Sequence, residues 1–317
     1  MRRVAEHIAG TLPLFALLFV PILLGFHHLY EWSHEQAVAG SHVLQHKQPY
    51  LNATGFQLRG VVYVAAWALL AWFFRRASMR QDEAGDPAIT RRLQSLSAPA
   101  LIVFGITLTF AGFDWLMSLD PHWYSTIFGV YLFAGSVVAV VATLIVVLLQ
   151  LQASGVLRRV VSWEHYHDLG KLLFAFTVFW AYIAFSQFML IWYGNIPEET
   201  AWFKHRWQHG WEVVSVLLAA GHFGLPFLFL LSREVKRRRA TLLVACGWLL
   251  VMHYVDIYWL VMPSLHAEHF QIHWLDAATL VGVGGLFIGA LGWTLRGQVL
   301  VPVRDPRLAE SLAFENV

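Results

Sequence analysis

Residues 125–151 read STIFGVYLFAGSVVAVVATLIVVLLQL, a run without any Asp, Glu, Lys or Arg. A helix that crosses a bilayer needs about 20 mostly apolar residues, and this run exceeds that length. Because the run is continuous and shows no alternation of period 2, a strand is not expected. Seven similar runs lie at about 11–28, 58–75, 98–119, 169–193, 210–231, 240–262 and 275–296. The sequence therefore predicts an all-α polytopic membrane protein with about eight transmembrane helices.

The composition of the 317-residue chain agrees with this prediction. Hydrophobic residues make up 58% and charged residues 13%, whereas soluble domains are about 45–50% apolar and about 25% charged. The single cysteine, Cys246, cannot form a disulfide framework within the chain. A net charge of +2 is too small to indicate nucleic-acid binding. The sequence contains no phosphate-binding glycine loop, no dinucleotide fingerprint and no zinc-protease motif.

The basic residues indicate how the helices are oriented. When the loops are assigned alternately to the two sides, most Lys and Arg residues fall on the side of the N-terminus, which the positive-inside rule places in the cytoplasm with the C-terminus. Most histidines fall at or near the outer side, which is typical either of an outer surface rich in Trp and His or of contact with a proton-rich compartment or redox partner. The only Lys and Arg residues assigned to the outer side are Lys47, Arg59, Lys204 and Arg206.

Two short patterns recur about half a chain apart. Asp114 and Asp256 are each followed by a proline seven residues later, and FQLR at 56–59 is matched by FKHR at 203–206. Each match involves only two identical residues, so chance is an alternative explanation. A duplication would place four helices in each half with the same orientation, and the sites of repeat-built transporters lie between their repeats.

The repeat leads to a prediction of domain organisation. We expect a first four-helix bundle at 1–152, a second four-helix bundle at 153–297 and a cytoplasmic tail at 298–317. Because proline lacks a backbone N–H, we also expect Pro263 to break the seventh helix before His266.

Polar residues are rare in the predicted spans, and an ionisable one costs roughly 2.5 kcal/mol or more on insertion. Asp114 and Asp256 lie at matching depths near the outer ends of their helices, and His253 shares a helix face with Asp256. Either these groups make interhelical hydrogen bonds, worth about 0.6 kcal/mol on average, or they form a proton relay or quinone contact. The hypothesis assigns this role to Asp114, Ser186, Gln187, His222, His253 and Asp256, with Ser186 and Gln187 at the middle of the fifth helix.

If the two halves pack face to face, the two aspartates and two histidines should converge between the bundles. At least one carboxyl should then be neutral or bonded to a histidine, because an unpaired buried charge is costly. A further polar group at the start of the fifth helix is either a solvated helix cap or a cytoplasmic half-channel. Its members are His165, His167, Asp168 and Lys171. No residue is predicted to be catalytic or to bind a metal.

Histidine spacing suggests a third function. His209 and His222 are 13 residues apart, as are His253 and His266, which would suit two bis-histidine haems between antiparallel helices. With 16 histidines in the chain, such spacings also arise by chance. The dihaem cytochrome is therefore the weaker alternative.

Three stretches resemble the ActF family, the smaller NrfD-like membrane proteins of alternative complex III. The first is DWLMSLDPHWYST at 114–126. The second comprises HDLGK at 167–171 and FSQFMLIWYGNIPEET at 185–200, and the third is DIYW at 256–259 followed by MP at 262–263. These stretches are long and run through most of the chain.

The resemblance implies a subunit of a bacterial quinol:cytochrome c or quinol:acceptor oxidoreductase in the inner membrane. It implies two four-helix bundles, proton half-channels, quinone as a candidate ligand and no haem or cluster bound by this chain. The implied partners are a larger NrfD-like membrane protein, an iron–sulfur subunit, multihaem cytochrome c subunits and membrane lipids. Members of this family usually have about two more helices before the segment that starts here. A stand-alone secondary transporter is the alternative from a different class.

Overall fold

The computed structural model describes residues 1–266 and 268–315, and within these residues the chain is α-helical without a strand. Eight helices in this part of the chain are long and apolar enough to cross a membrane. They confirm the predicted all-α polytopic membrane protein. The spans are α1 (Arg2–Leu24), α2 (Ala53–Ala84), α3 (Pro87–Leu119), α4 (Phe128–Ala153), α5 (Trp163–Gly194), α6 (Trp211–Leu231), α7 (Arg239–Leu265) and α8 (Trp274–Leu295).

The first span is interrupted twice. Pro13 and Pro21 lie in the first turns of its second and third segments, where a missing backbone N–H is tolerated. The segments of α1 are Arg2–Ala9, Leu12–Leu18 and Val20–Leu24. Outside the spans lie the short helices Phe26–Leu29, Glu31–Ser33, Glu35–Gly40, His42–Lys47, Pro197–His205, Arg233–Arg237 and Leu308–Leu312.

A two-residue turn connects α2 to α3. Gly85 adopts φ +66, a left-handed conformation that ends α2. The Asp86 side chain then accepts a hydrogen bond from Ala88 N at 2.8 Å and caps α3. Both helices consequently extend well beyond the apolar runs predicted at 58–75 and 98–119.

Helix α4 lies at the centre of the packing. It contacts α1 and α3 on one side and α5 and α7 on the other, and α6 packs against both α5 and α7. Helix α2 packs between α1 and α3, and α8 packs against α1. The predicted division of the chain into two four-helix bundles, 1–152 and 153–297, and a tail, 298–317, stays a prediction. Residues 267, 316 and 317 lie outside the described residues.

The interior formed by α4–α7 has two chemically different halves. Towards the N-terminal side of the membrane, the core is aliphatic and includes buried Ile145, Leu173 and Leu249. Towards the opposite side, it is aromatic and includes buried Trp180, Trp202 and Trp259. The polar residues of the candidate site therefore lie above an aliphatic block.

A π-helical turn at Leu218–Gly224 interrupts α6. Pro226 follows it and cannot donate a hydrogen bond to the carbonyl of Gly221, which would be its π-helical acceptor. Trp248 Nε1 of α7 donates to that carbonyl instead, at 2.7 Å. The π-turn is thus stabilised by a neighbouring helix.

The prediction that Pro263 breaks the seventh helix before His266 is only partly correct. Helix α7 ends at Leu265, before His266, but it passes through Pro263 without interruption. The carbonyl of Trp259, which Pro263 leaves without its usual donor, accepts a hydrogen bond from Arg206 Nε at 3.2 Å. A side chain thus replaces the missing backbone donor, which keeps the helix continuous inside the membrane.

The α3–α4 contact yields a stability prediction. A Cβ atom on Gly129 would lie 2.5 Å from the Thr109 side chain, whereas one on Gly284 of α8 would meet nothing within 4 Å. We expect Gly129→Ala to lower the free energy of unfolding by about 1–3 kcal/mol through overpacking. Gly284→Ala, the matched control, should leave it near the wild-type value. Thermal unfolding in detergent measures both, and equal stability of the two variants would contradict the packing described here.

Candidate functional site

Asp256 is a buried carboxyl held by neutral donors. It is 1% exposed and lies in α7, facing α4 and α5. Tyr131 Oη donates a hydrogen bond to Oδ1, and Trp180 Nε1 donates to Oδ2 at 3.0 Å. No Lys or Arg in the described part of the chain forms an ion pair with it. Its ionised form is therefore stabilised by hydrogen bonds alone.

Two histidines complete this cluster. His222 is fully buried on the π-turn of α6 and stacks on Trp180 with 3.9 Å between ring centroids. The His253 ring lies 6.4 Å from the His222 ring. Neither ring nitrogen of His222 has a hydrogen-bond partner in the protein, and the buried Nδ1 of His253 has none either. Such atoms are uncommon in proteins and mark sites for water or for proton transfer.

Asp114 lies in a separate cluster. It is completely buried, and Arg59 of α2 binds it with two hydrogen bonds, from Nε to Oδ2 at 2.8 Å and from Nη2 to Oδ1 at 2.9 Å. Tyr63 donates a third, at 2.7 Å. The Tyr50 ring covers the guanidinium, with its centroid 4.0 Å from Arg59 Cζ. Burial of Tyr50 at this contact raises its pKa to about 12. Asp114 is thus paired with an arginine and a tyrosine of α2.

The expected convergence of both aspartates and both histidines is therefore only partly correct. Asp256, His222 and His253 are brought together, but Asp114 is bonded to α2 rather than to them. Of the two alternatives expected for the carboxyls, a neutral form or a bond to a histidine, the described residues do not show the second, because tyrosine, tryptophan and arginine supply the donors. These partners come from distant parts of the chain and could not be identified from spacing.

The two related arginines have different roles. Arg59 pairs with Asp114, whereas the corresponding Arg206 does not pair with Asp256. Arg206 is 1% exposed and donates to the carbonyls of Trp259 at 3.2 Å and Leu260 at 2.9 Å. The two arginines occupy similar sequence positions, but only Arg59 forms an ion pair with the aspartate of its own half.

Ser186 and Gln187 lie in the outer half of α5, about halfway between its midpoint and its outer end, so their predicted position at the middle is wrong. Helix α5 continues at its inner end to Trp163, which shifts its midpoint away from both residues. Buried Gln187 accepts a hydrogen bond from Ser125 Oγ at 2.9 Å, and Ser186 is partly buried. Gln187 lines a cavity of about 540 Å³ between α5 and α6, which Tyr131 and Trp180 also line.

The predicted cytoplasmic group is divided among several environments. His165 Nδ1 bonds to Ser162 and caps α5, and its ring faces Phe314 of the C-terminal segment at 5.5 Å. Asp168 and Lys171 form an exposed ion pair at 2.9 Å. His167 is buried, and its Nδ1 has no hydrogen-bond partner. Only two of the four, His165 and Asp168, line the same cavity, which has a volume of about 770 Å³.

The structure contains a further buried polar cluster that the sequence does not reveal. Arg3 of α1 is 1% exposed and bonds to Asp82 of α2 at 2.7 Å, while fully buried His7 has neither ring nitrogen bonded. Glu6 accepts ion pairs from Arg2 at 3.2 Å and from Arg3 at 3.3 Å. Because these residues lie beside the first apolar run, the sequence alone indicates only the basic flank of a helix.

No protein-family model and no curated protein matches the chain. The fold places it in the class of multi-pass α-helical membrane proteins.

The pairing of Asp114 with Arg59 gives a testable result. Asp114→Asn leaves a partly buried guanidinium without its carboxylate, so we expect a loss of about 3 kcal/mol in the free energy of unfolding. The double variant Arg59→Gln/Asp114→Asn removes both charges and should recover much of that loss. Thermal unfolding in detergent compares the two variants. A single variant as stable as the wild type would contradict the structural role of this pair.

Proposed function

We propose that this chain is a membrane component of a bacterial quinol-oxidising complex of the alternative complex III type. In this proposal, the Asp256 cluster exchanges protons with the outer side of the inner membrane. The resemblance of 114–126, 185–200 and 256–259 to the ActF family supports the assignment. The proposed partners are a larger NrfD-like membrane protein, an iron–sulfur subunit and multihaem cytochrome c subunits, of which the last two would carry the electrons.

One observation carries the proton-handling role: Asp256 is buried without a cation. Desolvation opposes its ionisation, and no fixed positive charge offsets that effect. Asp114 differs because Arg59 neutralises it. Of the two aspartates that the repeat relates, only Asp256 is in an environment suited to gaining and losing a proton.

The surroundings of Asp256 favour exchange with the outer side. His222 and His253 supply three unpartnered buried nitrogen atoms within the same bundle. On the outer side, Tyr131 lines the cavity that also contains Gln187, and Gln187 bonds to Ser125 in the α3–α4 connection. On the inner side, the aliphatic block separates this cluster from His165. This arrangement suits a half-channel rather than a continuous path.

Quinol oxidation explains why such a group would be useful. Each quinol that becomes a quinone releases two electrons and two protons. The proposed iron–sulfur and haem partners take the electrons, and the protons require acceptors in a region that excludes water. A carboxyl without a cation is a suitable acceptor, because protonation removes its buried charge.

Substitution of Asp256 tests the proton-handling role. Asp256→Asn keeps the shape of the side chain and removes its titratable group. In the purified complex reconstituted into vesicles, we expect the protons released on the outer side of the membrane per quinol oxidised to fall at least twofold while the complex remains assembled. A pH-sensitive dye and acceptor reduction measure the two quantities together.

Glu31→Gln, at an exposed carboxyl of the outer loop, is the matched control and should behave as the wild type. If Asp256→Asn assembles and retains the full rate and proton release, Asp256 has only a structural role. If it fails to assemble, Tyr131→Phe becomes the informative variant, because it removes one donor to Asp256 but keeps the carboxyl.

Purification tests the proposed complex. Extracted under mild detergent conditions, the chain should copurify with a multihaem cytochrome, an iron–sulfur protein and a second NrfD-like protein, identified by mass spectrometry and haem staining. A chain that runs alone under these conditions would overturn the complex and favour the stand-alone transporter.

A further inference from the structure

Two clefts flank the basic end of α2. The first has a volume of about 640 Å³, lies between α1 and α2, and is lined by Arg75, Arg76 and Arg80. The second has a volume of about 470 Å³, lies between α2 and α3, and is lined by Arg76, Arg80 and Arg92. Trp72 lines both clefts. Trp72, Arg76 and Arg80 therefore form a ridge shared by two neighbouring basic cavities.

The position of this ridge along α2 matches a lipid headgroup region. The apolar run of α2 ends at Phe74, and the arginines follow immediately. Trp72 is 57% exposed, as is common for tryptophan at a membrane interface, and Arg76 Cζ lies 5.3 Å from its ring. Residues four apart share a helix face and lie about 6 Å apart along the axis, so Arg76 and Arg80 point the same way.

The arginines of the clefts lack carboxylate partners. Among residues 1–266 and 268–315, no Asp or Glu lies within ion-pair distance of Arg75, Arg76, Arg80 or Arg92. Arg75 Nε is moreover buried without any hydrogen-bond acceptor. By contrast, Arg2, Arg3, Arg59 and Arg237 each bind a carboxylate.

Two carboxyl residues line the clefts without cancelling their charge. Glu83 lines the first cleft and Asp86 the second, and one Asp86 oxygen caps α3 by accepting from Ala88 N. Four arginines against these two acids leave an excess of two positive charges. That excess matches a ligand with two negative charges at the level of the lipid headgroups.

We propose that the two clefts bind a membrane phospholipid with two phosphate groups, one on each side of the Trp72–Arg76–Arg80 ridge. Guanidinium groups bind phosphate through paired hydrogen bonds, and basic pockets between transmembrane helices at the cytoplasmic surface suit such headgroups. The acyl chains lie along exposed apolar side chains of α2 and α3, which include Leu69 and Leu101. Two separate basic cavities with shared arginines favour two phosphates over one.

Native mass spectrometry of the delipidated full-length chain in detergent tests this proposal. The probes are diphosphatidylglycerol, phosphatidylglycerol, phosphatidylethanolamine and inorganic phosphate. We expect diphosphatidylglycerol to bind the wild type with one lipid per chain and at least tenfold more tightly than phosphatidylglycerol. Arg76→Gln/Arg80→Gln should weaken this binding at least tenfold.

The matched control is Arg91→Gln/Arg233→Gln, which removes two exposed arginines that line neither cleft. Its affinity for diphosphatidylglycerol should stay within twofold of the wild type. Equal binding by both double variants, or equal affinity for phosphatidylglycerol, would overturn the proposal. Displacement of the lipid by millimolar inorganic phosphate would instead identify a site for free phosphate.

If Arg76→Gln/Arg80→Gln does not fold, Arg92→Gln alone should weaken the lipid binding at least threefold, and unchanged binding would overturn the proposal.

Discussion

A polar group buried in hydrocarbon must find its partner inside the protein, because no water is available to replace it. This constraint explains the contacts that define the fold. Arg206 bonds to the carbonyl that Pro263 leaves free, Trp248 bonds to the carbonyl of Gly221 at the π-turn, and Arg59 neutralises Asp114. Each contact joins elements that are far apart in the sequence, so satisfying the polar groups also fixes how the helices pack.

Several buried polar groups escape this rule, and three of the atoms belong to the two histidines near Asp256. His222 and His253 have buried nitrogen atoms without partners, and Asp256 has hydrogen-bond donors but no cation. A π-turn, which is often found at functional sites, places His222 there. Unpartnered buried nitrogen atoms also occur at His7, His167 and Arg75, but near Asp256 they accompany a carboxyl that has no cation. The related position Asp114 shows what a purely structural carboxylate looks like in the same protein.

Hydropathy is sufficient to predict the eight spans, because the energetic demand of the bilayer acts on each helix separately. It does not predict the partners of Asp114 and Asp256. Arg59 and Tyr131 are separated from these aspartates by 55 and 125 residues, and only the packing decides that they meet. The continuity of α7 through Pro263 is unpredictable for the same reason, since the compensating donor, Arg206, comes from another element. Patterns within one helix are thus readable from sequence, whereas pairings between helices are not.

The two-residue turn between α2 and α3 has a consequence for biogenesis. Arg59 and Asp114 lie at nearly equal distances along the chain from Gly85 and Asp86, so the two arms of this helical hairpin bring their charges to the same level. If the two arms enter the bilayer together, α2 presents the guanidinium to α3. The carboxylate therefore enters the bilayer as half of a neutral pair, which removes most of the penalty of about 2.5–3.5 kcal/mol for inserting such a group alone. The hairpin, rather than either helix alone, is therefore the unit in which these two charges cancel.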